Sequence, residues 1–256
     1  MLPKEFGALI VFAEHRFYGQ SMPFEEDSQK YKRYLSSEQA LADYATLIFE
    51  LKRRYHCESS PVIAFGGSYG GMLASWLRIK YPHIVDGAIS ASAPIWSFLA
   101  LDPPVDPNAF ADIATADATA AGGCADACAD NVRASWAYLK ELAADAAGRK
   151  YLAETFHLCD PLESEADVAT LAYWIQTAWY YMAMGDFPYP SSYILMGNGV
   201  LPAFPVCVAC ESLADPKLQG DAQALLPALA AAVGVYYNNT GSATCYDFTG
   251  SVNEET

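Results

Sequence analysis

Residues 62–72 read Val-Ile-Ala-Phe-Gly-Gly-Ser-Tyr-Gly-Gly-Met, and this segment constrains the fold more than any other. Val62-Ile63-Ala64-Phe65, just after Pro61, predicts a short buried strand. Glycines then bracket one serine. The apolar stretch beyond them predicts a helix from about Met72 to Lys80, stopped by Pro82. A strand that becomes a helix within so few residues needs close backbone approach, which Gly66 and Gly70 permit because they lack a Cβ. In that setting Gly66-x-Ser68-x-Gly70 is a nucleophile elbow. It carries the Ser68 hydroxyl above the sheet edge. It also places the Tyr69 N–H at a helix N-terminus, where it can donate to an oxyanion. A phosphate cradle would need Lys-Ser/Thr after the glycines, and Met72-Leu73 stand there instead.

The flanking sequence repeats a strand–helix rhythm. Residues 8–13 are a continuous apolar run, predicted as a buried parallel strand. Ser36 and Gln39 fit a capping box for a helix over 36–55, with Leu41, Tyr44, Ala45, Leu47, Ile48 and Leu51 at helical spacing. Residues 84–91 give a third apolar strand. The resulting β-α-β-α-β order implies an α/β fold with a parallel sheet. Asp102-Pro103-Pro104-Val105-Asp106-Pro107 then marks a boundary. Beyond it the chain is alanine-rich, with helices predicted near 109–120, 125–147, 165–184 and 221–236. The expected architecture is a partial α/β core over 1–101, bearing the elbow, and a helical insertion or cap over 102–256.

An activated serine needs a base, usually a histidine oriented by a carboxylate. In α/β-hydrolases the order along the chain is serine, acid, histidine. His15 and His56 precede Ser68, His83 lies at the end of the elbow helix, and His157 falls in the helical region. The triad Asp and His are therefore expected to be absent from this chain. Glu14-His15-Arg16-Phe17-Tyr18-Gly19-Gln20-Ser21 follows the first apolar run, where charged and aromatic residues suit a site rim. The plainer reading, a buried Glu14–Arg16 structural network, is preferred.

Composition narrows the partners. Fifteen Lys+Arg stand against thirty Asp+Glu, a net charge of −15, which disfavours nucleic acid and anionic membrane surfaces. The longest candidate span, Leu225 to Tyr237, is too short for a bilayer and carries Pro227. No cofactor or metal is expected. Seven cysteines and the acceptor pattern Asn238-Asn239-Thr240 suggest a secretory-pathway protein glycosylated at Asn238.

Further segments then carry a resemblance. Ala8-Leu9-Ile10-Val11-Phe12-Ala13-Glu14-His15-Arg16-Phe17-Tyr18-Gly19 is one, and Gly66-Gly67-Ser68-Tyr69-Gly70-Gly71-Met72-Leu73 is another. Lys80-Tyr81-Pro82-His83, Ala91-Ser92-Ala93-Pro94, Cys159-Asp160-Pro161-Leu162, Phe187-Pro188-Tyr189-Pro190 and Cys245-Tyr246-Asp247 complete the set. Together they resemble the lysosomal Pro-X carboxypeptidase and dipeptidyl peptidase II family of serine exopeptidases, peptidase family S28, and more closely dipeptidyl peptidase II. The resemblance implies an α/β-hydrolase domain with a helical cap, acting at acidic pH on peptides next to proline or alanine. It implies Ser68 as nucleophile and the Tyr69 N–H as half of an oxyanion hole. It places the triad Asp and His beyond Thr256 and an upstream strand before Met1, so the chain is expected to be truncated at both ends and to fold poorly alone. It implies lysosomal, vesicular or extracellular residence and a homodimer in the full-length protein. It also suggests the disulfides Cys128–Cys210 and Cys159–Cys245. Cys124 and Cys207 lie four and three residues before one pair, so a third bridge, Cys124–Cys207, is expected, with Cys57 left free. A zinc site from Cys124, Cys128, Cys207 and Cys210 is the disfavoured alternative. Two other functions compete with the peptidase: a catalytically inactive binding protein, and an esterase or lipase on the same fold.

Overall fold

The computed structural model describes residues 2–23, 31–98 and 101–249. The chain forms two compact units, Met1–Val105 and Asp106–Thr256.

In the first unit a four-residue helix, α1 (Leu2–Glu5), precedes α2 (Ser37–Tyr55), β1 (Ile63–Gly67), α3 (Tyr69–Lys80) and β2 (Gly87–Ala91). The strands pair in parallel, from Ile63 opposite Gly87 to Gly67 opposite Ala91. Helix α3 packs on both strands and against α2. The core is small: Leu41, Leu73, Leu77 and Val85 are buried, with Tyr44, Ile48, Val62 and Trp76 among those packed around them. Ser36 caps α2 by accepting from the Gln39 N–H at 3.3 Å. The Gln39 side chain is engaged elsewhere, because its Oε1 accepts from Arg16 Nη1 at 3.1 Å.

Residues 8–13 form no strand, and Leu9, Ile10, Val11 and Phe12 are exposed. A strand exists only where a neighbour completes its hydrogen-bond ladder. None of the described strands lies beside this run. The strand predicted for 84–91 starts only at Gly87, because the amides of Ile84 and Val85 both turn back to the Tyr81 carbonyl at 3.1 Å.

The second unit is helical: α4 (Ala109–Asp117), α5 (Cys128–Ala143), α6 (Ala146–Thr155), α7 (Glu165–Met184), α8 (Pro205–Glu211) and α9 (Ala222–Tyr237). The single helix expected over 125–147 is two helices. Asp145 adopts extended backbone and its carboxylate caps α6 by accepting from the Gly148 N–H at 2.7 Å. The close turn also needs Gly148, since a Cβ there would lie 2.3 Å from the Leu142 carbonyl oxygen. Helix α7 opens with a reciprocal capping box between Ser164 and Asp167. Its buried side chains, among them Leu171, Trp174, Ile175 and Met182, meet Leu225, Leu226 and Leu229 of α9 in one apolar core.

Three disulfides brace this unit: Cys124–Cys207, Cys128–Cys210 and Cys159–Cys245. Their Cα–Cα distances of 4.7, 5.3 and 5.0 Å suit bridging without backbone movement. Cys57 keeps its thiol. The four cysteines of the zinc alternative are consumed in two bridges and offer no thiolate to a metal.

Burial raises the pKa of Asp186, which follows α7. Its acceptance of the Val206 N–H at 3.2 Å works against that, and nearby Asp117 adds to it. An acid whose folded value is raised holds its proton more tightly folded than unfolded. The fold therefore gains stability as pH falls through the window between that raised value and the ordinary 3.8, and loses it on return to neutrality. Asp186→Asn keeps an acceptor for Val206 and removes the charge. It is expected to raise the Tm at neutral pH and to lose that advantage as the pH approaches 3.8, a result read from thermal melts across that range.

Candidate active site

Ser68 sits between the last residue of β1 and the first of α3, with φ 53° and ψ −124°. A non-glycine residue there costs on the order of 1–3 kcal/mol and persists only when its neighbours hold it. The neighbours are visible. The Ser68 N–H donates to the Ala91 carbonyl at 2.9 Å, and the Ser68 carbonyl accepts from the Met72 N–H at 3.1 Å. A Cβ on Gly66 would stand 2.0 Å from the Gly70 carbonyl oxygen, so the strand and the helix start are in direct backbone contact. Gly71 is confined to a lesser degree, with the Ala91 oxygen at 3.0 Å from its would-be Cβ. Gly70 is not: nothing lies within 4 Å of a Cβ there. The close approach expected of both motif glycines thus belongs to Gly66, with Gly71 as its second member.

The elbow has a brace that sequence reading missed. The Ser90 hydroxyl donates to the Gly71 carbonyl at 2.8 Å, which leaves Ser75 to donate to Ser90 at 2.6 Å. These serines tie α3 to β2 beneath the turn. With its backbone held, the exposed Ser68 side chain points free, and among the described residues nothing hydrogen-bonds its hydroxyl. Tyr69 is the first residue of α3, so the helix itself leaves its N–H without an acceptor.

The loop after residues 8–13 reaches the elbow. His15 Nε2 lies 3.1 Å from the Tyr69 hydroxyl, and His15 Nδ1 lies 2.7 Å from the Arg16 carbonyl. Burial raises the pKa of the Tyr69 phenol, and the nearby Tyr18 and Glu38 add to it. Glu14 and Arg16 do not form the joint network expected of them. Glu14 accepts from the Gln20 and Ser21 amides at 3.0 and 2.7 Å, and its pKa is lowered first by the Ser21 side-chain hydroxyl and then by these amides. Arg16 instead makes a two-pronged contact with Asp43 of α2, 2.6 Å on each side, and also donates to the Tyr34 carbonyl at 3.1 Å.

A strained serine at a strand-to-helix turn with a free amide beside it is an arrangement for acyl transfer. Comparison with known proteins agrees. The family model described as serine carboxypeptidase S28 matches residues 1–254. The chain belongs to the S28 serine carboxypeptidase family. It is 44% identical over 246 residues to the human lysosomal Pro-X carboxypeptidase, covering 94% of this chain and 47% of that protein. The prolyl carboxypeptidase-like protein 5 of Caenorhabditis elegans is 41% identical over 254 residues, 96% of this chain and 47% of that one. The mouse thymus-specific serine protease is 38% identical over 173 residues, 66% of this chain and 33% of that protein. The chain spans about half the length of the first two of these relatives.

For an S28 peptidase the histidines matter most, and among the described residues none of the four hydrogen-bonds Ser68. His15 faces Tyr69. His56 ends α2 in a left-handed conformation, φ 53°. His83 packs its ring 6.3 Å from that of Tyr81, at the far end of α3 from Ser68. His157, in the second unit, has φ 52° and accepts at its carbonyl from the Tyr246 N–H at 2.8 Å. Asn238 closes α9, and its side-chain oxygen accepts from the Ala243 N–H at 3.0 Å. The described residues contain no helix long and apolar enough to cross a membrane.

Proposed function

We propose that Ser68 is the nucleophile of a serine exopeptidase that cleaves short peptides next to proline or alanine. The observation that carries this reading is the Ser68 backbone, held at φ 53° beside the open N-terminus of α3. In the reaction, a base takes the Ser68 proton and Oγ attacks the scissile carbonyl. The tetrahedral oxyanion is received by the Tyr69 N–H. Collapse expels the amine, which takes the proton from the base, and water, giving a proton to the same base, releases the acid from the acyl-enzyme and returns the proton to Ser68. The base and its orienting acid are not among these 256 residues on this reading. The support is that no described histidine hydrogen-bonds Ser68, and that His15 and His83 face Tyr69 and Tyr81 instead.

The proline preference rests on the names of the relatives, which point to a carboxypeptidase; a dipeptidyl peptidase remains the alternative from the residue motifs. The helical unit, with its own core and three bridges, is assigned the role of a cap that favours short peptide ends. The disulfides and the lysosomal relatives support passage through the secretory pathway. Asn238 as a glycan acceptor and a homodimer of the whole protein belong to the same proposal.

The whole protein is expected to cleave an amide bond next to proline, either in a proline-containing dipeptide amide or in an N-blocked dipeptide whose proline precedes a residue with a free carboxylate. Strong turnover of a simple ester without amide cleavage would replace the peptidase by an esterase. Turnover of neither would favour a binding protein that has kept the elbow.

A further inference from the structure

The Ser68 elbow is held on one side by β2. On the other it is reached by a chain of contacts that starts on α2. Asp43 grips the Arg16 guanidinium at 2.6 Å on both prongs, and Gln39 takes a third Arg16 donor at 3.1 Å. The Arg16 carbonyl then faces His15 Nδ1 at 2.7 Å. Only a protonated nitrogen can face a carbonyl at that distance, so Nδ1 carries the hydrogen. In the neutral ring Nε2 is left as an acceptor, and the Tyr69 hydroxyl stands 3.1 Å away as its donor. Tyr69 is the residue whose N–H would receive the oxyanion. Its side chain has two torsions, so fixing the phenol restricts where its Cα and the preceding peptide plane can go. That peptide belongs to the strained Ser68, which relaxes unless its surroundings hold it.

We propose that His15 is a positioning residue for this reaction: it holds the Tyr69 phenol so that the Tyr69 N–H keeps its aim at the oxyanion. The inference rests on Ser68 being the nucleophile. His15 touches neither substrate nor reacting atoms; it acts through Tyr69.

Fluorophosphonate labelling of the whole protein tests it, with the rate constant of phosphonylation separated from probe binding. Tyr69→Phe removes one oxygen and His15→Leu removes the acceptor. Each is expected to slow phosphonylation about tenfold with probe binding unchanged. The double variant is expected to be no slower than either alone, because both break the same contact. His15→Gln offers an acceptor again and is expected to recover to within about threefold of the wild type, a rescue that simple filling of space would not give. A His15→Leu rate within twofold of wild type, or fully additive losses, would overturn the proposal.

A second readout does not depend on activity. Side-chain ¹⁵N spectra of the histidines are expected to show one ring protonated at Nδ1 whose Nε2 signal moves in Tyr69→Phe. No responding histidine would overturn the contact itself. A wild-type protein that is unlabelled yet shows this response would fault the Ser68 reading and leave the contact standing.

Discussion

Gly66→Ala is expected to disable the elbow, whereas Gly70→Ala is not, although both are glycines of the same motif. The added methyl at 66 would stand 2.0 Å from the Gly70 oxygen, 2.2 Å from the Gly70 carbonyl carbon and 2.7 Å from the Gly71 nitrogen. All three are backbone atoms, so no side chain can rotate away. Relief requires the start of α3 to move off β1, which carries Ser68 and the Tyr69 N–H with it. Displacement of about 1 Å in such a site is worth roughly 100-fold in rate, and overpacking adds about 1–3 kcal/mol of destabilisation. At 70 the space is open, and alanine is the better helix former by roughly 0.8–1 kcal/mol. Gly70→Ala is therefore expected to melt at or above the wild-type temperature. Thermal melts and fluorophosphonate labelling of the whole protein separate the two, and equal effects would contradict the close contact assigned to Gly66.

The second large effect concerns the paired bridges. Cys124–Cys207 and Cys128–Cys210 span 83 and 82 residues and close almost the same loop. If either is removed, the other still holds that loop shut. By the chain-entropy argument the first loss frees only the small ring between the two bridges, about 2 kcal/mol. Losing both opens the long loop as well, about 7 kcal/mol in all. Total stabilities run at about 5–15 kcal/mol, so the double loss is expected to leave the helical unit largely unfolded while each single loss is tolerated. Cys128 and Cys210 are fully buried, so their replacement by alanine adds a packing loss that the Cys124–Cys207 pair does not incur to the same degree. Guanidinium unfolding of the two paired Cys→Ala variants and of the fourfold variant measures this. Two equal and simply additive losses would show that the bridges do not share a loop.

What could be read from sequence follows the range of the forces involved. The elbow was legible because its requirement is local: a strand, a turn that tolerates no Cβ at 66, and a helix all lie within about twenty residues. Helix α7 was legible for the same reason, since its apolar periodicity runs unbroken between Ser164 and Gly185. The break at Asp145 was missed because a capping aspartate inside an alanine-rich stretch does not interrupt periodicity, although Asp145 followed by Gly148 was a usable sign. Helix α8 was missed because seven residues are too few to show a period. Residues 8–13 misled because an apolar run records what a segment would bury, not whether a partner strand stands beside it. The His15–Tyr69 contact joins residues 54 apart, and no local pattern announces it. Charged and aromatic residues just after the run pointed to the right loop without naming the partner.

In the function proposed above, Ser68 is the activated nucleophile and its base lies outside these 256 residues. A fluorophosphonate reacts appreciably only with an activated serine, so labelling followed by peptide mapping addresses both halves. The whole protein is then expected to be labelled on the peptide containing Ser68, Ser68→Ala to abolish the label, and the 256-residue chain by itself to remain unlabelled. Label on a different serine, or none on the whole protein, would contradict the assignment of Ser68. Full labelling of Ser68 in the 256-residue chain would contradict the placement of the base.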